Sequence, residues 1–190
     1  MKANVLQQAW LVLILAVVFG GGLAGVESTL KPRILENRLR ETIDQVPFLV
    51  PGSVDAVKDS LGGRVVYRAQ DSRGETLGWV FPTSGQGFAD RIEILLAVNG
   101  DASRITGVYV LDQKETPGLG NKIVNPDWRA QFQDKATQKR FVVTKTSPAR
   151  PEEIHGITGA TISSETVVDI VNRASRELKG ALAERRREDT

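Results

Sequence analysis

Cysteine is absent from all 190 residues. That excludes disulfides, Cys-ligated zinc, Fe–S clusters, c-type haem attachment and thiol catalysis. Histidine occurs once, at His155, so multi-histidine metal sites and most His-centred triads are excluded too. An excess of charge is also missing. The chain carries 25 Lys and Arg against 23 Asp and Glu, a formal net charge of +2, which argues against nucleic acid as a partner. There is no Walker A motif, and Gly118-Leu119-Gly120 and Gly85-Gln86-Gly87 each lack the third glycine of GxGxxG. Neither an internal repeat nor a low-complexity block is present. What remains is 41% apolar and 25% charged, enough to bury a core. The length suits one domain of about 100–200 residues.

Ala9 to Val26 is a run of 18 residues without a charge, whose only side-chain hydrogen-bonding group is the indole of Trp10. With Val5 and Leu6 upstream it approaches the roughly 20 residues that cross a bilayer. Trp10 lies near its start, where an interfacial anchor belongs. A retained transmembrane helix is the main reading; a signal peptide cleaved near Gly22-Leu23-Ala24 is the other. Gly21 and Gly25 form a GxxxG spacing that lets a second helix approach. Lys2 flanks the run on one side, and Lys31, Arg33, Arg38 and Arg40 on the other. A positive-inside count alone therefore favours a cytoplasmic C-terminal domain, and long domains often override that count.

Leu30, Ile34, Leu39, Ile43 and Val46 form an approximate helical stripe that predicts a juxtamembrane helix ending before Pro47, with a connector at Pro47–Ser53. Arg64–Gln70 and Glu75–Phe81 read as strands around the turn Asp71-Ser72-Arg73-Gly74. Ile92, Ile94, Leu96 and Val98 alternate as in a half-buried strand, which turns at Asn99–Asp101 into Ile105–Leu111. Asn125 and Pro126 predict a helix start with Trp128 and Phe132 on one face. Phe141–Thr144 reads as a short strand. Val167, Val171, Ala174, Leu178 and Leu182 define a last helix, with Glu184–Thr190 as a frayed charged tail whose arginines are able to touch anionic lipid. The expected class is α+β: an N-terminal transmembrane helix (1–29), a juxtamembrane helix and connector (30–50), one domain with a mostly antiparallel sheet and flanking helices (51–183), and the tail (184–190).

Two segments carry possible chemistry. Thr158-Gly159-Ala160-Thr161-Ile162-Ser163-Ser164 directly precedes the last helix. Small residues admit a close ligand, Gly159 permits positive φ, and the helix start offers unpaired N–H groups to a phosphate. A plain Ser/Thr-rich cap is the competing reading. Lys114-Glu115-Thr116-Pro117-Gly118-Leu119-Gly120-Asn121-Lys122 is a tight irregular loop after a strand.

Together, ETPGLG, TGAT about 40 residues later and the N-terminal apolar run resemble a known family. The chain resembles the G subunit of the Rnf-type ion-translocating ferredoxin:NAD oxidoreductase complex. It is more distantly similar to the C subunit of the sodium-pumping NADH:quinone reductase and to FMN-binding domains at large. The resemblance implies FMN attached through its phosphate to Thr161, with Thr158, Gly159 and Ala160 shaping the turn. Ser163 and Ser164 would bind phosphate oxygens or cap the helix. It also implies that Glu115, Thr116, Gly118, Leu119 and Gly120 lie against the flavin. In that arrangement Leu119 packs on the ring, Glu115 fixes the loop, and Lys122 either favours an anionic reduced ring or is a surface residue. Where the family motif has aspartate, six residues before the acceptor, this chain has His155. That residue reads either as a pH-sensitive contact near the flavin or as a tolerated substitution on an exposed loop. The implied role is an electron-carrying subunit with no substrate-turnover or metal site. Its implied partners are other complex subunits, a maturing flavin transferase and membrane lipid. Its implied place is the inner membrane, single-pass, with the C-terminal domain on the periplasmic side. A membrane-tethered adaptor with a vestigial flavin site and a stand-alone FMN-binding reductase domain are the alternatives.

Overall fold

The computed structural model describes residues 2–188. Asp189 and Thr190 of the expected tail, and the side chains of Lys2, Val5 and Leu6, lie outside the described residues. The chain divides into two units, Met1–Glu41 and Thr42–Thr190.

Helix α1, Lys2–Leu49, is continuous. Its apolar portion is long and apolar enough to cross a membrane by length and composition. Trp10, Val12, Ile14, Val17, Phe19 and Leu23 are exposed, as suits lipid rather than water. Ser28 and Thr29 turn their hydroxyls back onto Gly25 O and Val26 O, both at 2.9 Å, so the polar side chains satisfy themselves. The sequence predicts a separate juxtamembrane helix ending before Pro47. Instead the helix runs through Pro32 and Pro47, each of which forgoes one i−4 bond. Val50 N–H closes the last turn onto Val46 O at 2.8 Å. The expected apolar stripe also fails as a core face. Leu30, Ile34, Leu39 and Ile43 are exposed, and Val46 is its one buried member.

The second unit is built on a five-stranded antiparallel sheet in sequence order: β1 (Asp55–Leu61), β2 (Arg64–Gln70), β3 (Thr76–Gln86), β4 (Arg91–Asn99) and β5 (Ile105–Asp112). The Asp71–Gly74 turn forms as its residues predict: Asp71 Oδ1 accepts from Arg73 N and Glu75 N, each at 2.9 Å. Strand β1 is absent from the sequence expectation. It is an edge strand with Lys58 and Asp59 among its residues, joined to β2 by Gly62-Gly63, both at positive φ.

Helix α3, Thr161–Glu188, crosses one face of the sheet. Its Val167, Val171, Ala174, Leu178 and Leu182 bury against Phe81, Ile92, Ile94, Leu96 and Val98. Val46, Leu49 and Val50 cover the other face over Tyr67, Val80, Leu95 and Ala97. Strand β4 is therefore buried on both faces, not half-buried. The helix continues past the expected fraying point, and Arg185 pairs with Asp59 of β1 at 2.8 Å.

Helix α2, Pro126–Ala130, starts as predicted: Asn125 Oδ1 accepts from Asp127 N–H at 3.0 Å, and Pro126 follows the cap. Trp128 and Phe132 bury edge to face at 5.6 Å. The short strand β6, Val142–Thr144, pairs in parallel with β7, Glu153–His155, a strand that sequence periodicity does not reveal. The expected class, α+β with an N-terminal apolar helix and a mostly antiparallel sheet, is the class observed.

Candidate functional site

The start of α3 is shaped by one buried serine. Ser164 Oγ accepts from Ile157 N–H at 3.0 Å and donates to Ala160 O at 2.9 Å. Ala160 N–H meets Ile157 O at 2.9 Å, which closes the turn. Gly159 adopts φ +81°, the conformation its position in the sequence suggests, and a Cβ there would stand 3.0 Å from Leu119 Cδ2. Ser164 N–H is the first amide to close an i−4 bond, to Ala160 O at 3.0 Å. The amides of Thr161, Ile162 and Ser163 are left without helical partners, and Thr161 is the first helical residue.

A buried carboxylate holds this turn to the 115–122 loop. Glu115 is 4% exposed. Its Oε1 accepts from Ala89 N–H at 3.0 Å, and its Oε2 accepts from Ser163 Oγ. Three chain segments thus meet on one side chain. Space is made for it by glycine. A Cβ on Gly87 would stand 2.4 Å from Glu115 Oε1, and one on Gly120 would stand 2.6 Å from Ser163 Oγ and 2.9 Å from Glu115 Oε2. Ser163 therefore takes neither expected role, phosphate donor or cap, because its hydroxyl is committed to Glu115. Ser164 is committed to the turn itself. Nearby, Asp90 accepts from Arg91 N–H at 2.7 Å and pairs with Lys114 at 3.0 Å. The backbone bond first, and the lysine second, hold its carboxyl below the usual range.

Between loop and helix lies a cavity of about 410 Å³ lined by Phe88, Thr116, Leu119, Gly120, Gly159, Ala160, Thr161, Ile162 and Ser163. Seven of the residues singled out from sequence line it together: Thr116, Leu119, Gly120, Gly159, Ala160, Thr161 and Ser163. Glu115 lies behind the lining. Thr158, Gly118 and Lys122 are exposed and do not line it. Gly118, at φ +76°, makes the turn that brings Leu119 N–H back to Thr116 O at 3.1 Å. His155 stands in β7 rather than a loop. Its backbone O accepts from Trp128 Nε1 at 2.8 Å, its N–H donates to Gln131 Oε1 at 2.7 Å, and its side chain is exposed outside the cavity.

Two lining residues have no role assigned from sequence, although Ile162 stands within the Thr158–Ser164 segment. Phe88 is 65% exposed and Ile162 is 52% exposed, both in the cavity wall. A large apolar residue inside a Gly-rich turn, or inside a Ser/Thr run, is the signal that was available. The resulting chamber is apolar along one wall and ends at unpaired helix amides. That combination suits a flat aromatic group carrying a phosphate.

The FMN-binding domain family matches residues 87–176, a span that holds every residue of the cavity lining. The chain is 34% identical over 139 residues to the G subunit of the ion-translocating oxidoreductase complex of Methanosarcina acetivorans, covering 72% of this chain and 70% of that one. It is 38% identical over 105 residues to the G subunit of the Na⁺-translocating ferredoxin:NAD⁺ oxidoreductase complex of Acetobacterium woodii, covering 53% of this chain and 49% of that one. Among solved structures, the C subunit of the Na⁺-translocating NADH-quinone reductase of Parabacteroides distasonis superposes with a TM-score of 0.52 at 28% identity, over 60% of this chain and 61% of that one. The chain carries an FMN-binding domain and belongs to the family of ion-translocating oxidoreductase complex G subunits.

Proposed function

We propose that this chain is the electron-carrying subunit of a membrane-bound ion-translocating ferredoxin:NAD oxidoreductase complex, with FMN joined by a phosphoester bond to Thr161. The observation that carries the proposal is the position of Thr161. It is the first residue of α3, beside amides that lack partners, and it lines a cavity with an apolar wall. The residues present fit FMN. The amides of Thr161, Ile162 and Ser163 and the positive end of α3 favour a phosphodiester charge. Phe88, Leu119 and Ile162 offer the apolar surface that a flavin ring covers, and they exclude water from it. Glu115, Gly87 and Gly120 keep the two walls together. FMN, when bound, supplies one- and two-electron chemistry, while the protein positions it and sets its surroundings.

In this reading a flavin transferase matures the chain, and other complex subunits exchange electrons with it. Helix α1 is a single-pass anchor in the inner membrane, with lipid around it, and the C-terminal domain stands on the periplasmic side. The test is in-gel flavin fluorescence of denatured protein co-expressed with a flavin transferase, together with intact mass. The expected result is a fluorescent band, heavier than the bare chain by FMN less one water, that vanishes in Thr161→Ala. A dark wild-type band, with the transferase active on a control, refutes the covalent carrier and favours the adaptor reading. Co-purification of partner subunits separates the complex from a stand-alone reductase domain.

A further inference from the structure

A second cleft, larger than the Thr161 cavity at about 540 Å³, is lined by Ser84, Arg64, Arg91, Arg173, Glu93 and Glu177, with Pro82, Thr83 and Leu111 between them. Two guanidinium groups converge there on one serine. Arg91 Nη2 donates to Ser84 Oγ, and Arg173 Nη2 donates to Ser84 O. Both acceptors are neutral. Among the described residues no carboxylate lies within ion-pair distance of Arg173. Arg91 reaches Glu93 at 3.7 Å, and Glu177 is taken by Arg64 at 2.9 Å. Three cations and two anions leave the cleft net positive. The Arg91 side chain is 64% exposed, so it is open to an incoming group. Two like charges held on one residue repel, and a carboxylate arriving between them relieves that repulsion.

The cleft adjoins the elements that build the Thr161 cavity. Ser84 lies on the strand that leads to Phe88, and Arg91 opens the strand that follows it. Arg173 lies on α3, about 16 Å of helix rise beyond Ile162. Between them Thr166 Oγ1 donates to Gln86 O at 3.1 Å. We infer that the Arg64–Arg91–Arg173 cleft is a docking patch for the acidic face of a redox partner, which it seats beside the Thr161 cavity. The inference rests on the electron-carrier reading above. Charge of this kind steers encounter and fixes orientation.

The experiment uses the full flavinylated chain in detergent, reduced with dithionite and mixed with ferricyanide as the anionic acceptor. Two ferricyanide ions take one electron each, giving two ferrocyanide ions and oxidised flavin, and the protons bound on reduction return to buffer. At low ionic strength the variant Arg91→Gln/Arg173→Gln is expected to slow this step about fivefold and to flatten its salt dependence. The variant Arg186→Gln/Arg187→Gln removes the same charge elsewhere and is expected to change the rate less than about twofold. Equal slowing in both variants would show a net-charge effect and overturn the inference. So would saturable binding of inorganic phosphate at constant ionic strength that the Arg91/Arg173 variant abolishes, which assigns the cleft to a free anion. Self-association lost in that variant would assign it to a second copy and overturn it equally. Binding of poly-L-glutamate needs no flavin. Weakening by the Arg91/Arg173 variant alone supports the patch even if the wild type proves flavin-free, and equal binding by all three proteins rejects it.

Discussion

Removing the Glu115 carboxylate should loosen the site and the fold together. Glu115→Ala deletes two hydrogen bonds from a buried charged acceptor, one to Ala89 N–H at 3.0 Å and one to Ser163 Oγ. Each such bond contributes about 1.5–3 kcal/mol, and relief of the buried charge takes part of that back. The expected net cost is about 3 kcal/mol, a fall of about 1.5 M in urea midpoint at a slope near 2 kcal/mol/M. Glu115→Gln keeps an acceptor for Ala89 N–H, and the Ser163 hydroxyl is free to rotate and accept, so its cost should be about 1 kcal/mol. A double-mutant cycle with Ser163→Ala should show about 1–2 kcal/mol of coupling. Equilibrium urea unfolding of the five proteins, wild type, the three single variants and Glu115→Ala/Ser163→Ala, followed by tryptophan fluorescence, is the assay. Ala and Gln variants of equal stability, or additive effects with Ser163→Ala, would refute Glu115 as the link between loop and helix.

Gly159→Ala places a side chain at φ +81° with its Cβ 3.0 Å from Leu119 Cδ2. It should cost about 1–2 kcal/mol in thermal or urea unfolding and lower flavin attachment in the in-gel assay. Asp59→Asn should reveal a pH-dependent tie. The Arg185 hydrogen bond, ahead of the burial that opposes it, lowers the Asp59 carboxyl below 3.8. The stabilisation is therefore present above that value and is lost as pH falls through the lowered folded-state value. Wild type should exceed the variant by up to about 1 kcal/mol at pH 7, with the two curves merging at acid pH.

The sequence makes the middle strands and the last helix readable because each has a clean period: alternation in β4, and threes and fours from Val167 to Leu182. Asn125 and Pro126 announce α2 through local chemistry that needs no tertiary partner. Other features depend on contacts that sequence spacing does not record. Strand β7 is three residues long and pairs in parallel with a segment eleven residues earlier. The Leu95 and Ala97 face of β4 reads as outward until Val46, Leu49 and Val50 are seen over it. Strand β1 hides behind its charges, although Gly62-Gly63 is a hairpin signal in plain view. At the site, the TGAT and ETPGLG motifs are visible in the string of letters. The carboxylate that joins them is not, because Glu115 meets Ser163 across 48 positions of chain.

The order in which the sheet is wired bears on when the cavity comes into being. Strands β1 to β5 each pair with their immediate neighbours in sequence, so the sheet closes through short loops. The cavity walls come from residues 88, 116–120 and 159–163, and the last of these belong to the turn and first residues of α3, which packs on the sheet. A chain that lacks α3 has no such chamber to offer, so the presence of the cavity reports that α3 is seated on the sheet.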